Sequence, residues 1–185
     1  ASISTREART VRTARTENRT IARTVRQTAV RNRDPLAQSF IIDETDGCFI
    51  SSLTAFFASK SSTIPVRAEI REMENGYPTK TILPFAQKYL NPGSVNTSTD
   101  ASSGTVFTFP SPVYLKEGTE YCFVLYSDSS DYTAYVSRLG GTVIGSDRKV
   151  SEQPNSGVLF KSANMSTWEP DQMEDIKFTL KKAVF

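Results

Sequence analysis

The chain of 185 residues has no histidine, one tryptophan and only two cysteines. Without histidine the commonest general base is missing, and with it the usual Ser-His and Cys-His nucleophile pairs. Two cysteines alone cannot close a four-ligand zinc site. No apolar run is long enough for a transmembrane helix, and there is neither a secretory leader pattern nor an internal repeat of domain size. What remains for catalysis is carboxylate chemistry. The local clusters are Asp43-Glu44 with Asp46, Glu72 with Glu74, Asp128 with Asp131, and Asp171 with Glu174 and Asp175. Each lies at an expected turn or strand end, where solvated acids are the default. A glycosidase would need two of them facing across about 5 to 9.5 Å, a relation that spacing along the chain does not supply. Asp43/Glu44/Asp46 and Asp128/Asp131 could offer oxygen ligands to calcium, but neither follows the EF-hand spacing. The expectation is a protein that is not an enzyme, with no cofactor and no metal.

What the chain does have is a sharp division of charge. Residues 1–33 carry nine arginines against two acids, Glu7 and Glu17, a net of +7; the remaining 152 carry thirteen basic and eighteen acidic residues, a net of −5. The seam falls at Arg33-Asp34-Pro35. Between Arg6 and Arg26 the arginines recur every three or four residues, so on an α-helix they would occupy about half the circumference. Ile3, Val11, Ala14, Ile21, Ala22, Val25 and Ala29 would gather opposite them, in an apolar stripe about 100° wide. Val11, Ala14, Asn18, Ile21 and Val25 then form a short coiled-coil seam, with Asn18 at a core position that would set register. Ser4-Thr5-Arg6-Glu7 fits a capping box, and Pro35 ends the segment. This pattern predicts one amphipathic helix through residues 3–30, a candidate interface for homo- or hetero-oligomers. Six threonines from Thr10 to Thr28 oppose it, because β-branched side chains lower helix propensity. The arm lacks the aromatic interleaving of nucleic-acid binders and the bulky anchors of membrane-surface helices, so both of those partners are disfavoured.

Residues 34–185 suffice for one domain with its own core. Runs rich in β-branched and aromatic residues recur at 36–42, 48–58, 66–71, 105–109, 121–126, 132–138, 158–161 and 176–184, separated by Gly, Pro, Asn, Asp and Ser clusters. They predict a mainly β fold, an antiparallel β-sandwich of jelly-roll-like type. Val66 to Arg71 alternates strictly, implying one apolar and one wet face. Residues 89–104 have a loop composition, and Asn75-Gly76-Tyr77-Pro78 is a turn signal. Cys48 and Cys122 fall in strand-like runs, as small buried apolar residues would. Tyr77, Tyr132 and Trp168 lie in or near polar stretches and are candidate contacts for a sugar ring, although packing is the commoner role of such rings.

Two stretches are more distinctive. DPLAQSF (Asp34 to Phe40) and LFKSANMSTWEPDQMEDIKFTL (Leu159 to Leu180), supported by PVRAEIREMENGYP (Pro65 to Pro78) and SPVYLKEGTEYCFVLYSD (Ser111 to Asp128), resemble a β-sandwich module of contractile-tailed bacteriophages. That module occurs in baseplate-wedge and tail-fibre-associated proteins of T4-like phages and cyanophages. The resemblance covers nearly all of residues 34–185 and does not extend to the arginine arm. It implies a structural virion protein of the tail or baseplate, assembled in the host cytoplasm, with other tail subunits as partners. A glycan-binding adhesin that recognises host surface sugars is the alternative. A chain that starts at Ala1 is expected to be part of a longer polypeptide, and within the first strand Gln38 interrupts the apolar set of Leu36 and Phe40, which calls for an internal hydrogen bond or a broken pleat.

Overall fold

The computed structural model describes residues 34–141 and 157–185 in full and, within the arm, the backbone of two short strands. In chain order the strands are β1 (Thr5–Ala8), β2 (Arg15–Thr20), β3 (Leu36–Ile41), β4 (Cys48–Ser59), β5 (Val66–Glu74), β6 (Tyr77–Leu90) and β7 (Gly104–Leu115). There follow β8 (Glu120–Ser127), β9 (Thr133–Arg138), β10 (Leu159–Lys161), β11 (Glu169–Asp171), β12 (Glu174–Ile176) and β13 (Phe178–Lys182). The described fold is therefore mainly β, built as two antiparallel sheets. One runs β1-β2-β9-β4-β13, with β12 also on β9 and β7 also on β4; the other runs β11-β10-β3-β8-β5-β6.

The main core lies where the apolar faces of these strands meet. Leu36 and Phe40 from β3, Ile50, Leu53 and Phe57 from β4, Ile70 from β5, Phe107 from β7 and Phe123 from β8 are all buried in it. Each such side chain stabilises the fold by about 1.5–3 kcal/mol relative to exposure. A smaller cluster of Ala37, Cys122, Val124, Phe160 and Trp168 covers the opposite face of the second sheet. The β3–β8 pair thus presents alternate residues to two apolar environments, as a period-2 strand buried on both sides must.

Several expectations need correction. At Thr5–Ala8 and Arg15–Thr20 the arm is extended and not helical. Val11, Ala14, Ile21 and Val25 lie outside the described residues, while Asn18 sits in β2 opposite Tyr135. Arg15-Thr16-Glu17-Asn18-Arg19-Thr20 also alternates charged with uncharged polar residues, a period of two that the helical projection concealed. Pairing with β9 across all six residues adds main-chain hydrogen bonding that an isolated arm lacks. The runs of strand-like residues do not include β6 because Pro78, Pro84 and two lysines, Lys80 and Lys88, interrupt it; it is an edge strand, the position in which a sheet tolerates proline. The 89–104 segment is not a plain surface loop. Val95 and Ala101 are buried, Ser98 N donates to Phe57 O, and Lys60 and Lys177 bind the loop's carbonyl oxygens.

The charged face of β5 is not wet either. Glu69 is completely buried, ion-paired with Arg71 and with Arg67 at 3.0 Å, and it accepts a hydrogen bond from Gln87. The Arg67 guanidinium lies 3.7 Å from the Tyr126 ring centroid, a cation–π contact that roofs the network. Arg67 and Arg71 flank Glu69 on the same face of β5, while Gln87 from β6 and Tyr126 from β8 close the network, and strict alternation along β5 alone cannot reveal those two. The turn behaves as expected: Asn75 and Gly76 have φ of 51° and 78°, the paired positive values of a tight hairpin turn. Gly157 is needed for a close approach, since a Cβ there would lie 1.7 Å from Ser39 O. Replacing Glu69 by Ala strands the Arg71 guanidinium in the interior. We expect a loss of about 3–5 kcal/mol, visible as a lower urea midpoint, whereas Lys80→Ala on the exposed face should leave the midpoint within error.

Candidate functional site

The feature with most bearing on function is the strand β9 and what lies on either side of it. Its inner edge pairs with β4 through Ala134 and Thr133 and with β12 through Val136, Ser137 and Arg138. Among the described residues its outer edge pairs with β2, in unbroken register from Arg15↔Arg138 to Thr20↔Thr133. β1 completes the sheet beyond β2. Ala134 and Val136 face the main core, and Tyr135 faces the other side, where its hydroxyl donates to Ser98 O at 2.6 Å.

β9 is held firmly at its start. The Tyr132 hydroxyl donates to Ile64 O at 2.6 Å, and the ring packs edge-on against Phe57 at 6.0 Å. Ser59 Oγ donates to Asp131 O and lies 2.7 Å from the Thr133 hydroxyl. Its far half is held indirectly, through β12. Gln38 projects into the core from the second sheet, donates from Nε2 to Asp175 Oδ1 at 2.9 Å and accepts from Ile176 N at 2.9 Å. The interruption of the first strand is thus an internal hydrogen bond that ties one sheet to the other. Glu174, also buried, accepts from Lys161 at 2.9 Å and faces Arg138 at 3.8 Å.

The candidate aromatic residues are not brought together. Tyr132 is fully buried and Trp168 is 6% exposed in the smaller apolar cluster, so both rings are committed to packing. Tyr77 is 49% exposed and stands 5.9 Å from Phe160. The more exposed rings were not singled out by sequence. Phe85 projects at φ 63° from a bulge in β6, Tyr89 accepts a hydrogen bond from Arg67, and Phe49, Tyr114 and Phe185 form a surface cluster with centroids 5.2 and 5.5 Å apart. Alternation in β4 and β7 could have flagged Phe49 and Tyr114, which are direct cross-strand partners.

Several residues of the acidic clusters make local or long-range bonds rather than converging on one point. Glu44 binds Lys182, the Glu117 carboxylate accepts from Asp46 N, and Asp131 accepts from Ser129. Among the described residues no group of three or more His, Cys, Asp or Glu is arranged to hold a metal ion. Both cysteines are free thiols; burial pushes Cys122 up to about 12 and, with Glu44 nearby, raises Cys48 as well. The chain matches no family model, no characterised protein and no solved structure.

Burial raises the Asp175 carboxyl to about 6, opposed by the Gln38 hydrogen bond and reinforced by Asp171. Among the described residues, Asp175 Oδ2 and the Ser137 hydroxyl, on directly opposed positions of β12 and β9, have no hydrogen-bond partner. A carboxyl whose pKa is higher folded than unfolded stabilises the fold when protonated. Its contribution is full below the ordinary value of 3.8 and is lost as pH rises through about 6. Asp175→Asn should therefore melt above the parent at pH 7.5, with the gap closing by pH 4; a constant gap across that range would refute the assignment.

Proposed function

We propose that this protein is a non-enzymatic structural component of a bacteriophage tail or baseplate, a jelly-roll-like sandwich that assembles through its basic arm and through surface contacts of the body. The observation that carries the reading is the placement of Arg15–Thr20 on the outer edge of β9, where a basic segment adds a strand to an acidic body. Strand addition is a recognition mode in which main-chain hydrogen bonds supply affinity. The phage assignment rests on the resemblance carried by Asp34 to Phe40 and Leu159 to Leu180. Assembly takes place in the host cytoplasm, and the partners are other tail subunits.

The arm has a second mode available. A bundle of arm helices with the seam Val11, Ala14, Asn18, Ile21 and Val25 would serve the same role, but it requires Arg15–Thr20 to leave β9. Circular dichroism of the assembled protein separates the two modes, since only the bundle adds helix. Asn18→Pro removes a main-chain donor from β2 and is incompatible with either ladder or helix. In sedimentation velocity the parent is expected to run as an oligomer and this variant as a folded monomer; a parent that is monomeric under all conditions would remove the assembly reading.

Glycan binding by an adhesin is the rival reading, and the exposure of Tyr77 is what favours it. A glycan array should show saturable binding that Tyr77→Ala abolishes if that reading is right; no binding to any sugar leaves assembly as the function.

A further inference from the structure

We propose that the outer edge of β9 is a strand-docking site through which copies of this chain exchange arms, the Arg15–Thr20 strand of one copy pairing with β9 of the next. The inference rests on the assembly reading above and supplies its mechanism.

Four observations carry it. First, β2 contains no apolar residue, so its attachment to β9 depends on the main-chain ladder and on charge. A ladder of this kind does not distinguish the arm of one copy from that of another. Second, the body has its own core without the arm. Ala134 and Val136 of β9 belong to one cluster with Leu53, Phe57 and Ile176 of the body, and the described residues beyond Asp34 make a continuous core by themselves. A strand added to a finished sheet, with nothing to bury, can leave and return. Third, residues 21–33 separate Thr20 from Asp34, a stretch that can span up to about 45 Å at 3.3–3.6 Å per residue. That reach covers a neighbouring sandwich. Fourth, the arm is +7 and the rest of the chain −5. Arms repel arms and attract bodies, which favours head-to-tail docking of arm on body over arm-to-arm association.

Without an arm, the outer edge of β9 would present unpaired main-chain groups along Thr133–Arg138, the liability that sheet proteins regularly cover. Exchange covers that edge in every copy while linking each copy to the next. A head-to-tail link of this kind closes into a ring or extends as a filament, depending on the rotation between copies.

Directly opposed residues of an antiparallel pair have Cα atoms about 4.5–5.5 Å apart, within disulfide range. Thr16 and Ser137 are such a pair, and so are Thr20 and Thr133. In a full-length Cys48→Ala background, one affinity-tagged population carries Thr16→Cys and an untagged population carries Ser137→Cys. After mixing and mild oxidation, the expected product is a covalent tagged–untagged dimer, formed equally by the Thr20→Cys and Thr133→Cys populations. Each variant should first show the parent's unfolding transition, and the second pair stands in if the first perturbs folding. If the mixture stays uncrosslinked while a chain bearing both cysteines closes a disulfide within itself, exchange is overturned. An uncrosslinked mixture from a parent that sediments as an oligomer overturns exchange and leaves assembly standing. A monomeric parent that closes only the internal disulfide overturns both.

Discussion

The hydrogen-bonded tie from Gln38 to Asp175 and Ile176 is the constraint on which the described architecture turns. Gln38 sits on the inner face of β3 between Leu36 and Phe40, where an apolar residue would satisfy packing alone. A buried amide left unpaired would cost about 1–3 kcal/mol, so it must find partners in the opposing sheet. Those partners lie on β12, which is only three residues long and whose ladder among the described strands is with β9. The amide therefore sets where β12 lies, and β12 in turn holds the far half of β9. From one polar side chain in the first strand the consequence runs to the edge on which the arm docks.

Asp175 makes that tie sensitive to protonation. Its carboxylate accepts from Gln38 with one oxygen, while the other has no hydrogen-bond partner, and neither has the hydroxyl of Ser137, the residue opposite it in the β12–β9 pair. Burial without full hydrogen bonding is what raises its pKa. The Glu69 network in the other sheet shows the contrasting solution, with two arginines and a glutamine gathered on one buried carboxylate. Both are buried polar centres, but only the first joins the sheets.

Much of this was visible along the chain. Strand-like runs located β3, β4, β5, β8 and β9 to within a few residues, because each is long enough to show its β-branched and aromatic content and is bounded by turn residues. The Asn75-Gly76 turn was legible because its positive φ values restrict the residue types that can occupy it. The need for a partner at Gln38 was legible too, though not which partner. β6 was hidden by prolines that only an edge position tolerates, and the three-residue strands β11 and β12 are too short for any period to appear. In the arm, arginine and threonine recur in a way compatible with both helical and extended spacing, and the presence of β9 decides for the six residues of β2.

The candidate site divides along the same line. By itself the sequence determined that a basic arm precedes an acidic β body and that histidine chemistry is excluded, because composition and local alternation are properties of the chain alone. The tertiary structure decided which rings are committed to the core, as Tyr132 and Trp168 are, which stand at the surface, as Tyr77 and Phe85 do, and which strand edge receives the arm. Those outcomes depend on contacts between residues far apart in sequence. Burial and strand pairing are relations between segments, and no single segment carries them.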